Sequence, residues 1–396
     1  MWSFIPMFKI DPCIKAYLKG NTRRRLPVII TCRGNIKKIK SKITYNGGRL
    51  RHEYENINAI ACDLSSLGVD RLSEQPDVCY ITMDYKASLC MKTAASSMGI
   101  SHASAFRLTG KGVGIGLIDS GVFPHPDLIH PKNSISFFQD LIGDYKRPYD
   151  DNGHGTFMAG CMCSSSPVHP GIAPGAELCV VKAFDASGHG LMSDIMKGID
   201  ILLGIREKYN IRVLCLPFEF PYMTKVKSNP LEELIKKAIS MNISVVVPSG
   251  NMGMQPCSIY FPGNIKDVIT VAGAVCESSN ERLYSISSFS GRGPGLKELP
   301  KPDLAAPSVN ITSLGSNLSY IPSKSPVLDP SFMYTTKSGT SIACALISAA
   351  CAVIYEKSPE LKCQDLKSIL RLSTISMGEN KYAQGAGLFV FDKILK

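Results

Sequence analysis

Four residues in this chain could do chemistry together: Asp119, His154, Asn251 and Ser341. Each sits where a regular segment begins or ends, with glycine close by. Asp119 closes the string GVGIGLIDSGV (112–122). The apolar and glycine residues before it read as a buried parallel strand, and open α/β sheets build their sites at the carboxyl ends of such strands. His154 follows the polar turn in DDNGHGT (150–156) and heads an apolar helix. Ser341 stands in KSGTSIA (337–343), between a glycine turn and a small-residue apolar stretch reaching 355. A carboxylate that fixes an imidazole tautomer, an imidazole that takes a hydroxyl proton, and the hydroxyl itself form the apparatus for attack on a carbonyl. The missing part is a donor for the oxyanion, and Asn251 ends ISVVVPSGN (243–251), a strand running into a turn. Taken singly, each residue has a plainer reading: Ser341 and His154 as helix caps, Asp119 as a turn residue. The combination is what points to chemistry.

The order Asp119, His154, Asn251, Ser341 and the strings around them resemble the subtilase family of serine peptidases. GIGLIDSGVFPHPDL (114–128), DDNGHGTFMAG (150–160) and SGTSIACALISAA (338–350) are similar to its aspartate, histidine and serine boxes. FSGRGP (289–294), KPDLAAPSVNI (301–311) and GAGLFVF (385–391) support them. The resemblance spans about 95–396 and is closest to the intracellular, AprX-like subtilases of spore-forming bacteria. It implies a serine endopeptidase working through an acyl-enzyme: Ser341 attacks, His154 is base then acid, Asp119 orients it, and Asn251 with a backbone N–H holds the oxyanion. Gly188, His189 and Gly190 resemble one wall of the peptide cleft. The opposite wall departs from the family, because Leu216, Pro217, Phe218 and Glu219 stand where Ser-Leu-Gly-Gly is common. Leu216, Pro217 and Phe218 are therefore the expected substrate contacts there, with Phe218 narrowing the pocket and Pro217 removing a backbone donor. Ala345 replaces a proline of the serine box, and Phe157 the histidine that commonly follows His-Gly-Thr. Phe261-Pro262 resembles a turn that often holds a cis proline in the family, while trans is the default for any proline.

No metal ligand is assigned. Calcium is a candidate cofactor only through Asp144, Asp150 and Asp151, since 164–171 lacks the Asn-containing loop of secreted subtilisins; exposed turn carboxylates are the commoner reading.

The elements that must position these residues alternate. Strands are expected at 113–118, 178–183, 211–216, 243–248 and 268–274, and helices at 154–164, 192–208, 230–241 and 341–356. That alternation predicts an α/β fold, a subtilisin-like parallel sheet with helices on both faces. Ahead of it, 26–86 reads as a small α/β unit: strands at 26–32, 57–62 and 78–82 with helices at 35–43 and 64–75. This order resembles the ferredoxin-like propeptide domain of many subtilases, which implies a folding assistant whose tail lies in the active cleft as an inhibitor. The expected organisation is an N-terminal extension (1–25), the propeptide-like domain (26–86), a small-residue linker with a processing site (87–97) and the catalytic domain (98–396). A permanent accessory domain is the alternative for 26–86.

Charge divides along the same line. Residues 1–111 hold 18 Lys/Arg against 8 Asp/Glu, a balance of +10, and the remainder holds 26 against 25. Arg23 to Arg25 and Lys37 to Lys42 could attract nucleic acid, but no aromatic platform is interleaved with them, so a solvated or docking face is expected instead. Fourteen cysteines without a Cys-x-x-Cys pair suggest a reducing compartment. Cys161, Cys163, Cys344 and Cys351 read as core thiols. Residues 1–8 are apolar but too short for a secretory signal, and no run of about 18 uncharged apolar residues suggests a membrane span. A cytoplasmic protein follows as the expectation, the resemblance to enzymes of spore-forming bacteria leaving spore association open, with peptide or protein substrate as partner, its own N-terminal domain in the cleft, and neither nucleic acid nor membrane. The main rival is a subtilase-fold regulator that binds a partner through the remodelled cleft. An α/β-hydrolase is disfavoured, because the serine lacks a Gly-x-Ser-x-Gly elbow and the order of the three residues is wrong.

Overall fold

A computed structural model describes residues 9–18, 25–34, 36–90, 92–93, 108–221, 229–278, 283–295, 298–322 and 333–393. Arg23 and Arg24, residues 1–8, and, of the expected linker, Met91 and everything beyond 93 lie outside the described residues. The chain divides into a unit of Met1–Lys86, Leu191–Ile201 and Tyr222–Lys237 and a larger one of Ala87–Gly190, Leu202–Pro221 and Ala238–Lys396.

A ten-stranded sheet organises the larger unit. Its order is Thr374–Ile375, Leu388–Phe389, Leu304–Pro307, Ile269–Ser278, Ser244–Pro248, Ile211–Cys215, Gly114–Asp119, Glu177–Lys182 and Ile135–Asp140, with Leu283–Ile286 paired to Ile269–Ser278. Neighbours from Leu388–Phe389 to Ile135–Asp140 are parallel. The other two pairings are antiparallel, so the sheet is mixed but mostly parallel, as the alternation predicts. Gly114–Asp119 lies between two neighbours and every residue of it is buried, which is why it reads as continuous apolar sequence rather than an alternating pattern. Helices His154–Cys163 and Thr340–Lys357 pack into one apolar core with these strands, through Phe157, Met158, Ile342 and Leu346 against Leu117, Val180 and Val246.

Three differences from the sequence reading have local causes. Ile135–Asp140 and Leu304–Pro307 are strands that were not anticipated; the first is only half-buried along its middle and the second is four residues ending in proline. The helix beginning at Met192 stops at Gly204 instead of 208, glycine being a poor helix former. Thr340–Lys357 is long and apolar enough, by length and composition, to cross a membrane; its window of mean hydropathy 1.4 is 89% buried inside the fold, where it serves as the core helix. The Phe261-Pro262 bond is cis.

The smaller unit carries a four-stranded antiparallel sheet in the order Arg49–Tyr54, Ala59–Leu64, Leu26–Cys32, Val78–Met83. Helix Ile36–Tyr45 buries Ile36, Ile39 and Ile43, and helix Ser66–Ser73 buries Val69 and Leu72, against Val28, Ile30 and Ile60. Arg49–Tyr54 was not anticipated because its sequence, RLRHEY, is polar. It is an edge strand, where charge discourages further pairing. In the same unit Asp84 accepts the Ser193 N–H at 2.8 Å and Arg51 at 2.8 Å. Burial nevertheless pushes its carboxyl up to about 6.

Candidate active site

Asp119 is the last residue of its strand and His154 the first of its helix. His154 Nδ1 lies 2.7 and 2.8 Å from the two Asp119 oxygens. The pair is sealed, Asp119 being 0% and His154 2% exposed. Close approach of the two elements depends on Gly155: a Cβ there would fall 2.0 Å from the Gly121 carbonyl oxygen. The pair is held from behind by Asp150. Its Oδ1 accepts the Ser120 hydroxyl at 2.8 Å and the Gly153 and Asn152 amides, and its Oδ2 accepts the Thr156 amide and hydroxyl at 2.8 and 2.7 Å. Ser120 Oγ accepts in turn the Gly155 amide at 3.0 Å. Burial opposes a charge on Asp150, but the hydrogen bonds from Thr156 and Gly153 outweigh it and hold the carboxyl below its usual range.

Ser341 occupies the first turn of Thr340–Lys357, where backbone N–H groups have no intrahelical acceptor. Its amide and its hydroxyl both reach the Cys90 carbonyl oxygen, at 3.4 and 2.6 Å. The hydroxyl also lies 3.0 Å from the Pro217 carbonyl. It is therefore spent on carbonyls, and His154 Nε2 is buried with no partner. Asn251 follows Ser244–Pro248 and its Oδ1 accepts the Thr340 amide and hydroxyl at 3.0 and 2.9 Å. An amide N–H can only donate, so this contact fixes the flip of Asn251 and leaves its Nδ2 as an unused buried donor.

The segment leading to Cys90 is an added strand between His189–Leu191 and Phe218–Glu219. Phe218 and Glu219 pair antiparallel with Leu89 and Ser88. The Leu89 amide donates to Gly188 O at 3.3 Å and the Cys90 amide to Pro217 O at 3.4 Å. Beyond Cys90, Lys92 and Thr93 pair with Ser338 and Lys337. Gly188 and Pro217 thus meet this segment through their carbonyls. Gly190 and Leu216 are buried, and His189 is exposed. Phe218 is turned into an aromatic cluster, 5.3 Å from Phe184 and 6.0 Å from Phe220 between ring centres. Glu219, buried next to Phe218 in the same short strand, was not among the expected site residues. Its sequence signals are an acid inside the apolar run LPFEF and its place in the departure from Ser-Leu-Gly-Gly.

A family model described as the Subtilase family matches residues 110–387. The chain belongs to that family. It is a subtilisin-like serine endopeptidase whose buried Asp119–His154 pair fits the first two members of a catalytic triad. It is 32% identical over 355 residues to the serine protease AprX of Bacillus subtilis, covering 85% of this chain and 79% of that protein. It is 30% identical over 342 residues to the alkaline protease of Shouchella clausii, with the same coverage. Among solved structures it resembles fervidolysin of Fervidobacterium pennivorans, described as a keratinolytic enzyme related to subtilisin: TM-score 0.75, 17% identity, 94% of this chain and 61% of that one. That likeness shows the fold.

The carboxylates considered for calcium do not form a cage. Asp150 is committed as above, Asp151 bonds Lys182 Nζ at 2.6 Å, and Asp144 stands exposed beside Lys146 at 3.5 Å. Among the described residues no group of three His, Cys, Asp or Glu could hold a metal ion.

Proposed function

We propose that Ser341 is the nucleophile of this peptidase and that the Cys90–Met91 bond is its first substrate. The observation that carries this reading is the Cys90 carbonyl oxygen resting on both the amide and the hydroxyl of Ser341, in a chain that also seals an Asp119–His154 pair. Attack begins when the Ser341 hydroxyl turns from the Cys90 and Pro217 carbonyls to His154 Nε2, which takes its proton as Oγ bonds to the carbonyl carbon. Asp119 keeps Nδ1 protonated and stabilises the imidazolium. The Ser341 amide and Asn251 Nδ2 hold the oxyanion. His154 then hands its proton to the departing amine, and a water, deprotonated by the same nitrogen, hydrolyses the acyl-enzyme.

In this reading the smaller unit is a propeptide of the ferredoxin-like kind, 26–86, and 87–90 is a built-in occupant of the cleft. The four-stranded sheet with two helices supports the first assignment, and the strand pairing of Ser88 and Leu89 supports the second. Main-chain pairing on both sides of Cys90 is the way an extended peptide binds a sheet edge. The buried thiols Cys161, Cys163, Cys344 and Cys351 support a reducing compartment; burial pushes Cys161 up to about 12, which suits inert core thiols.

A fluorophosphonate probe tests the assignment. Processed wild type should label and Ser341→Ala should not. A folded, processed wild type that resists the probe would instead support a regulator built on a protease scaffold.

A further inference from the structure

The cleft holds a carboxylate that peptide hydrolysis does not use. Glu219 is 7% exposed. Its Oε1 accepts the Asn251 amide at 3.3 Å, and its Oε2 is buried without a partner. Gly250 makes room for it, because a Cβ at that position would fall 2.2 Å from Oε2. Cys90 is itself 1% exposed, and the antiparallel register that sets Glu219 opposite Ser88 puts Cys90, two residues further on, on the same face as the carboxylate. The side chain preceding the candidate scissile bond is thus closed in, with an acid facing it.

We propose that Glu219 determines specificity, so that the pocket before the scissile bond takes a short side chain carrying a hydrogen-bond donor, cysteine or serine. The inference rests on the reading of Ser341 and Cys90 given above. A cysteine offers a donor a single heavy atom beyond Cβ on the face Glu219 shares, and a serine hydroxyl is its nearest equivalent. Alanine leaves the acid without its donor, and an unpaired buried acceptor is costly. Phenylalanine and leucine lack a donor and need volume that Glu219 fills. Lysine has donors but needs room for three more heavy atoms than cysteine, beside a carboxylate that is itself buried. An acidic residue would set two carboxylates against each other.

The test uses processed wild type, Glu219→Gly and Glu219→Gln, each titrated with the fluorophosphonate to count active serines. The substrates are peptides with the sequence of residues 86–93 carrying Cys, Ser, Ala, Phe or Lys at the place of Cys90. Per active serine, wild type should cleave the Cys and Ser peptides with kcat/KM on the order of 10- to 100-fold above Ala, and further above Phe and Lys. Glu219→Gly should gain Phe cleavage and lose the preference for Cys and Ser over Ala. Glu219→Gln, the fallback if the glycine variant does not fold, keeps the volume and should still reject Phe while narrowing the gap between Cys and Ala. Wild type that cleaves Phe or Lys peptides as fast as Cys, or variants that keep the wild-type order, would overturn the inference while the titrated serines uphold the peptidase. Folded wild type with no titratable serine would overturn the reading of Ser341 and this inference with it.

Discussion

Asp150 and Glu219 are two buried carboxylates in one catalytic unit, and their surroundings drive them in opposite directions. Asp150 is surrounded by five donors, and its carboxyl is held low. Glu219 accepts the Asn251 amide, and burial, only partly offset by that bond, pushes its carboxyl up. The same contrast divides the cleft. Around Asp150 the polar groups are saturated, whereas one buried atom each of His154 (Nε2), Asn251 (Nδ2) and Glu219 (Oε2) has no partner. A saturated network fixes geometry. Unused donors and acceptors in a closed cleft are what a reacting substrate can satisfy, so frustration here marks where chemistry is aimed.

The largest effect should come from the atom joining the two regions. His154→Ala should lower kcat by on the order of 10⁶, a figure carried over from a subtilisin rather than derived from this geometry. Single-turnover cleavage of a peptide by processed enzyme measures it, and a loss of only a few fold would remove His154 from the mechanism. On the open side, Asn251→Ala should lower kcat by about 10²–10³, again a subtilisin magnitude, with little change in KM. A rise in KM at constant kcat would mean that Asn251 binds the ground state instead.

On the saturated side the cost should appear as stability. Asp150→Asn turns an amide NH2 toward amide and hydroxyl donors and should cost on the order of 3 kcal/mol, read as a lower midpoint in thermal unfolding. Because the Asp150 carboxyl is depressed in the fold, the stability it supplies is present above about pH 4 and is lost as pH falls through its folded value. The penalty of Asp150→Asn should therefore shrink only in strong acid. Equal stability of variant and wild type at pH 7 would break the contrast.

Glu219→Gln should give the smallest effect, of opposite sign. A carboxyl raised in the fold favours the folded state fully below its unfolded value near pH 4.3 and loses that contribution as pH rises through its folded value. The glutamine variant escapes that loss, so its midpoint should match wild type near pH 4 and exceed it slightly at pH 8. A midpoint lower at pH 8 than at pH 4, relative to wild type, would show that the charge on Glu219 is compensated.

The two regions also differ in how far sequence exposes them. Asp119, His154, Asn251 and Ser341 lie at strand ends and helix starts marked by glycine and an apolar run, and local patterns of that kind are readable along a chain. Asp150 was visible as a turn acid, but its role as an acceptor for Ser120 and Thr156 was not. Glu219 was noticed only as part of a departure from the family. Its setting depends on Cys90 and on the bare Gly250, which approach it from distant parts of the chain. The edge strand Arg49–Tyr54 escaped for a related reason, since one polar strand carries no alternation to detect.

The measurement that bears most directly on the central claim is the N-terminal sequence of the purified chain, wild type beside Ser341→Ala. The account predicts a new N-terminus at Met91 in the wild type and an uncut chain in the variant. Cleavage of Ser341→Ala at Cys90–Met91 in the same preparation, or an active wild type cut elsewhere and intact at that bond, would contradict it.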